Sequence, residues 1–190
     1  MPRVDIGRSD RGRGFPLRPL VVVMGVSGAG KTTVGRLLAE RLRVPFLDGD
    51  DLHPRANVAK MASGVPLTDD DRFPWLVTVG GALAGLRAEG AVVACSALKR
   101  KYRETILAEA PSAVFVELHA PPDLIARRVE ARTGHFMPGA LFESQMKTLE
   151  PLEADEPGFR VDCTHEPDRV VADLLEEIPR AALLRTEHSA

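Results

Sequence analysis

Gly25-Val26-Ser27-Gly28-Ala29-Gly30-Lys31-Thr32 is the stretch that decides the fold. Two glycines with four residues between them, followed by Lys and Thr, form a phosphate-binding-loop pattern. The run before it, Leu20-Val21-Val22-Val23-Met24, is wholly apolar and reads as a buried strand. After it, Val34, Leu37, Leu38 and Leu42 recur at helical spacing. Strand, loop and helix in that order are the context the motif requires. Glycines let backbone N–H groups converge on an anion, and the helix N-terminus adds its positive dipole end. The reading assigns Gly25, Ser27, Gly28, Ala29, Gly30, Lys31, Thr32 and Thr33 to nucleotide phosphate binding. Lys31 would reach the β- and γ-phosphates of ATP, and the Thr32 hydroxyl would ligate Mg²⁺.

Bulk properties narrow the class. The chain has 190 residues and a net charge of -2, so no global basic field points to nucleic acid. No apolar run approaches the ~20 residues of a membrane helix. The two cysteines, Cys95 and Cys163, each stand at the end of a predicted buried strand and read as core thiols of a reducing compartment.

Working outward, residues 1–18 carry Arg3, Arg8, Arg11, Arg13 and Arg18 without apolar periodicity and read as a flexible extension. Val44-Pro45-Phe46-Leu47 is a second strand, delivering Asp48, Gly49 and Asp50 to its C-terminal end. Ligands bind at that edge in open parallel sheets. One carboxylate could orient Mg²⁺ and the other could accept a proton from an attacking hydroxyl; an acidic turn capping the next helix is the alternative. Thr68-Asp69-Asp70-Asp71 reads as a helix start with a Thr cap and acids complementing the dipole. The helix carries Trp75, Leu76, Val79, Leu83 and Leu86 inward, with Trp75 as core, and Gly90 ends it. Arg72 is either a surface residue or an anion ligand.

Ala91-Val92-Val93-Ala94-Cys95 is a third strand and brings Lys99, Arg100, Lys101 and Arg103 to the same edge. Lys99 and Arg103, four apart, would share a helix face toward an anionic substrate; Arg100 and Lys101 read as solvated. This strand lacks an Asp, so the metal-supporting acid must be Asp48 or Asp50. A fourth strand spans residues 113–118, and a helix from Pro122 carries Arg127, Arg128 and Arg132 before the irregular Thr133-Gly134-His135-Phe136. Paired arginines before a hinge suit a lid over a phosphoryl group; a charged exposed helix is the alternative. Phe159-Arg160-Val161-Asp162-Cys163 is a fifth strand, His165 and Pro167 after it are positional candidates for an adenine pocket, and residues 179–190 read as a fraying tail.

Five alternations of strand and helix predict an α/β fold: a doubly wound, mostly parallel five-stranded sheet with helices on both faces. The expected organisation is one domain over 19–178, with a substrate segment at 49–75 and a lid at 123–149. Pattern alone thus indicates a small phosphate-loop kinase acting on a small, hydroxylated, anionic molecule.

The strings Asp48-Gly49-Asp50 with Leu52-His53-Pro54, Asn57, Lys60-Met61, Gly64, Pro66-Leu67, Asp70-Asp71-Arg72 and Pro74-Trp75-Leu76 resemble the gluconate kinase family. So do Cys95-Ser96-Ala97-Leu98-Lys99 with Tyr102-Arg103, and Gly134-His135-Phe136, and the likeness runs from about Leu20 to Val171. Residues 1–18 have no family counterpart, and the segment 150–156 only approximates the family's Leu-Glu-x-Pro. The resemblance implies ATP-dependent phosphorylation of D-gluconate to 6-phosphogluconate, a nucleoside-monophosphate-kinase-like fold, a homodimer and a cytoplasmic location. It implies Asp50 as acceptor base, by similarity to the related shikimate kinases, and Asp48 as support for Mg²⁺. It further implies His53, Lys99 and Arg103 as substrate contacts, with His135 and Arg72 beside them, and Arg128 and Arg132 as lid arginines assisting catalysis with Lys31. Rival readings are a kinase of another small hydroxy acid such as shikimate, and an ATP-binding regulator that transfers nothing.

Overall fold

The computed structural model describes residues 18–131 and 139–187. The expectations for Arg132 and His135 lie outside the described residues, as does the extension before Arg18.

Five strands form one sheet: β1 (Leu20–Met24), β2 (Phe46–Asp48), β3 (Ala91–Ala94), β4 (Ala113–His119) and β5 (Gly158–Asp162). Their order is β2-β3-β1-β4-β5, and every pair is parallel. The sheet is thus parallel throughout, as the alternation of elements predicts. β1 lies at the centre, with Val22 opposite Val93 on one side and Phe115 on the other. All five of its residues are buried, which is why the run is apolar without alternation.

Successive side chains of β1 point to opposite faces and seed two cores. Val21 and Val23 join Val34 and Leu38 of α1 (Lys31–Leu42) and Val170, Leu174 and Ile178 of α7 (Pro167–Glu187). Leu20, Val22 and Met24 join Trp75, Leu76, Val79 and Leu83 of α3 (Asp69–Gly85) and Ile106 of α4 (Arg100–Glu109). A short α2 (Arg55–Ala62) lies between the β2 edge and α3, while α5 (Pro122–Glu130) and α6 (Gly139–Thr148) fall between β4 and β5.

Thr68 caps α3 as its sequence predicts: its hydroxyl accepts from the Asp71 N–H and the Asp71 carboxylate accepts from the Thr68 N–H, a reciprocal capping box. Two boundaries differ from expectation. α3 ends at Gly85 rather than Gly90; turns fill 86–89, and Gly90 takes φ 77° where a Cβ would stand 2.9 Å from the Arg18 backbone. The glycine therefore serves the approach of residue 18, which lies against the domain although it was expected within a loose extension. The anticipated tail is also helical, because α7 continues through Pro179 to Glu187. Among the described residues no helix is long and apolar enough to cross a membrane.

Candidate active site

Because all strands run the same way, the loops after β1, β2 and β3 meet at one edge. Gly30 caps α1 with φ 95°, and Gly28 has φ 84°, backbone that side chains rarely adopt. A Cβ on Gly28 would also stand 2.5 Å from the Val129 side chain. The loop is closed by Ala29 N–H on the Val26 carbonyl at 3.2 Å and joined to the β3 loop by Gly25 N–H on the Ser96 carbonyl at 3.3 Å. Lys31 Nζ donates to the Val26 carbonyl at 3.1 Å, which folds the side chain back over the loop. Thr33 and Val34 follow into the wall of an adjoining cavity of about 300 Å³.

Asp48, at the end of β2, faces this loop. Thr32 Oγ1 donates to Asp48 Oδ2 at 3.3 Å, while Asp48 Oδ1 accepts from the Asp50 N–H at 3.2 Å. Asp48 is thus half-buried and held at both oxygens, whereas Asp50 is exposed, one residue into a 3₁₀ turn over Gly49–Leu52. A hydroxyl beside a carboxylate at the foot of a phosphate loop is the donor set that suits Mg²⁺, a hard cation that takes few protein ligands and fills its shell with phosphate oxygens and water. Among the described residues no group of three or more His, Cys, Asp or Glu could hold a metal by itself.

Trp75 fixes this turn from below. Its Nε1–H donates to the Gly49 carbonyl at 2.7 Å, and its ring stacks on His53 at 4.0 Å with an 18° interplanar angle. It is core, as expected, and it also carries the His53 ring on its face. Gly49 must be glycine for space, since a Cβ would lie 2.7 Å from the Ala94 carbonyl. Burial holds the His53 ring below its usual pKa against the opposing charge of Asp50, and Arg72 lowers it further. This environment favours the neutral ring.

The basic residues sort differently from the sequence pattern. Lys99 is extended and caps α4, so it shares no helix face with Arg103. Its Nζ lies 3.2 Å from Asp69 Oδ1, and Asp69 also accepts from Lys101 and the Tyr102 hydroxyl. These donors, Lys101 and Tyr102 foremost, hold the Asp69 carboxyl well below the usual range. Lys101 is therefore anchored rather than simply solvated. Lys99 and Arg72 both lie over the Tyr102 ring, at 5.4 and 5.9 Å. Arg72 is half-buried and, among the described residues, has no ion-pair partner.

Arg103 is not a substrate contact. It is fully buried, and its Nε and Nη2 donate to the two carboxylate oxygens of Glu156 at 2.5 and 2.6 Å. Its Nη1 holds the Ala97 carbonyl at 3.3 Å and the Glu150 carbonyl at 3.0 Å. Arg100, expected to be solvated, binds Glu153 and Asp155 of the same segment. Buried Glu117 of β4 completes the clamp by accepting from the Leu152 N–H at 2.7 Å and Arg160 Nε at 3.0 Å.

Arg128, expected as a lid arginine, is anchored beside the phosphate loop. Its Nη2 donates to the Cys163 carbonyl at 2.8 Å, and it lines the cavity with Gly28, Gly30, His165 and Pro167. His165 and Pro167, on the loop after β5, thus form part of this cavity's wall. Both cysteines are free and buried; burial pushes the Cys95 thiol up to about 12. Gln145 of α6 was not foreseen: its Oε1 accepts the Ser27 N–H at 2.7 Å.

Comparison with known proteins agrees with this geometry. The shikimate kinase family model matches residues 27–178. Gluconokinase of Gluconobacter oxydans is 48% identical over 162 residues, spanning 84% of this chain and 91% of the relative. Thermosensitive gluconokinase of Escherichia coli is 41% identical, spanning 85% and 86%. The crystal structure of a gluconokinase from Sinorhizobium meliloti superposes with a TM-score of 0.81 at 43% identity, spanning 91% and 98% of the two chains. With this similarity running over most of the chain, and a phosphate loop completed by Thr32 and Asp48, the protein belongs to the gluconokinase family of phosphate-loop kinases.

Proposed function

We propose that the protein transfers the γ-phosphoryl group of ATP to the primary hydroxyl of gluconate, giving 6-phosphogluconate and ADP. The observation that carries this reading is the hydrogen bond from Thr32 of the phosphate loop to Asp48, with Asp50 two residues on and bonded through its N–H to the same carboxylate. A new bond forms between the hydroxyl oxygen and the γ-phosphorus as the bond to the β-γ bridging oxygen breaks. The hydroxyl proton passes to Asp50, whose carboxylate is the freer of the pair, since both oxygens of Asp48 are engaged. Lys31 offsets charge on the transferring group. Mg²⁺ would be held by Thr32 and Asp48 and would neutralise phosphate charge when bound.

On the acceptor side, Arg72 and Lys99 over the Tyr102 ring would recognise the gluconate carboxylate, with Arg72 dominant because Asp69 already engages Lys99. His53, its neutral form favoured and its ring fixed by Trp75, would hydrogen-bond the polyol. Arg128, His165 and Pro167 would receive the adenine. A homodimer in the cytoplasm belongs to the same proposal, and light scattering tests the first part.

The test is gluconate-dependent ADP release measured beside shikimate and nucleoside monophosphates. Release with gluconate alone supports the reading. Release with another acceptor redirects it, and ATP binding without any acceptor-dependent release overturns it.

A further inference from the structure

The phosphate loop is held from outside its own strand and helix. Ser27 N–H, one of the backbone donors at the crest of the loop, donates to the Gln145 side chain across 118 residues of sequence. A backbone N–H can only meet the oxygen of that amide, so the two N–H donors of Gln145 are carried beside the same loop. α6 is set in place on the far side. Phe142, Met146 and Leu149 pack on the core, and the Leu149 N–H donates to the Gln145 carbonyl at 2.9 Å. Glu150 N–H then bonds the Leu98 carbonyl at 2.8 Å, and buried Arg103 holds the Glu150 carbonyl. The amide therefore stands on a helix whose end is tied to the acceptor side of the site.

We propose that Gln145 is a positioning residue for the phosphoryl donor. By occupying the Ser27 N–H it holds the loop crest in its anion-receiving shape and links it to the segment that Arg103 and Glu156 clamp. This rests on the phosphoryl-transfer reading for its purpose but not for its test, which reads nucleotide binding without any acceptor.

Calorimetric titration of the full chain with ADP and with a non-hydrolysable ATP analogue compares wild type, Gln145→Ala and Gln145→Glu. Losing one hydrogen bond of ordinary net strength should weaken nucleotide binding by about five- to tenfold in Gln145→Ala. The KM for ATP should rise with it, while the KM for gluconate stays within about twofold. Gln145→Glu can still accept the Ser27 N–H but sets a negative charge against the phosphates, so it should bind nucleotide more weakly than Gln145→Ala. A contact that only braces the fold predicts wild-type affinity in Gln145→Glu, and that result overturns the proposal. Equal or tighter binding by Gln145→Ala also overturns it, because the amide would then be occupying a place the phosphate wants. Should Gln145→Ala not fold, Gln145→Glu decides alone.

Discussion

Replacing Arg103 by Met removes the cation from a pair whose side chains are 1% and 5% exposed. Met preserves most of the volume, so the dominant loss is electrostatic. Glu156 would keep one N–H donor, from Glu153 at 3.1 Å, and lose both guanidinium bonds. Leaving one member of a buried pair unmatched costs about 3–5 kcal/mol. The Ala97 and Glu150 carbonyls lose a donor as well. For a chain of this size each kcal/mol lowers Tm by about 2–4 °C, so a fall of about 6–20 °C is expected. Thermal unfolding by calorimetry measures it, with steady-state kinetics on the fraction that remains folded. The double variant R103M/E156Q should lose less than the sum of its single changes, since it leaves no buried charge alone. If R103M instead melts within about 2 °C of wild type and raises the KM for gluconate tenfold, Arg103 reaches the substrate and the structural assignment fails.

Other consequences are equally direct. Asp50→Asn should lower kcat by about 10²–10⁴-fold with ATP binding retained, as loss of a general base requires; near-normal turnover would remove Asp50 from that role. Arg72→Met should raise the KM for gluconate by about 10–150-fold, from roughly 1.5–3 kcal/mol of charge-assisted bonding, and Lys99→Met should raise it less. The reverse ranking would move carboxylate recognition to Lys99. Acid should also destabilise the fold. Hydrogen bonds from Lys60 and Thr68 hold Asp71 at about 2, a depressed value whose stabilisation is present above the usual carboxylate range and lost as pH falls through about 2. Burial opposes ionisation of Glu156, yet Arg103 and the Glu153 N–H outweigh it, so its contribution fades in the same direction. Tm measured from pH 5 downward should fall, and Asp71→Asn should flatten that slope between about pH 4 and pH 2.

What the sequence discloses here is what local chemistry dictates. The loop at 25–32 needs glycines at fixed spacing, the capping box needs Thr68 and Asp71 three apart, and β1 needs five buried residues in a row. Each is readable within a few positions of itself. The misplaced residues depend on partners far along the chain. Arg103 finds Glu156 53 residues away, and Lys99 finds Asp69 30 residues away, so the spacing alone made this pair look substrate-facing. The helix beginning at Arg100 rather than before Lys99 broke the supposed i,i+4 face. Trp75 was legible as core from its periodicity, but its Nε1–H could announce no partner until Gly49 was folded beneath β3. Gln145 gave no signal, because a lone polar residue on a helix names no distant acceptor or donor. Pro179 suggested a helix end, yet the packing of Val170, Leu174 and Ile178 carries α7 beyond it.

The central claim is that one sheet edge gathers phosphate donor, metal-supporting pair and proton acceptor around a single alcohol. A crystal structure with a non-hydrolysable ATP analogue, Mg²⁺ and gluconate tests it most directly. The terminal hydroxyl oxygen should lie within about 2.6–3.2 Å of an Asp50 carboxylate oxygen and about 3–3.5 Å from the γ-phosphorus. A hydroxyl bound away from both, with Arg72 facing solvent, would contradict it.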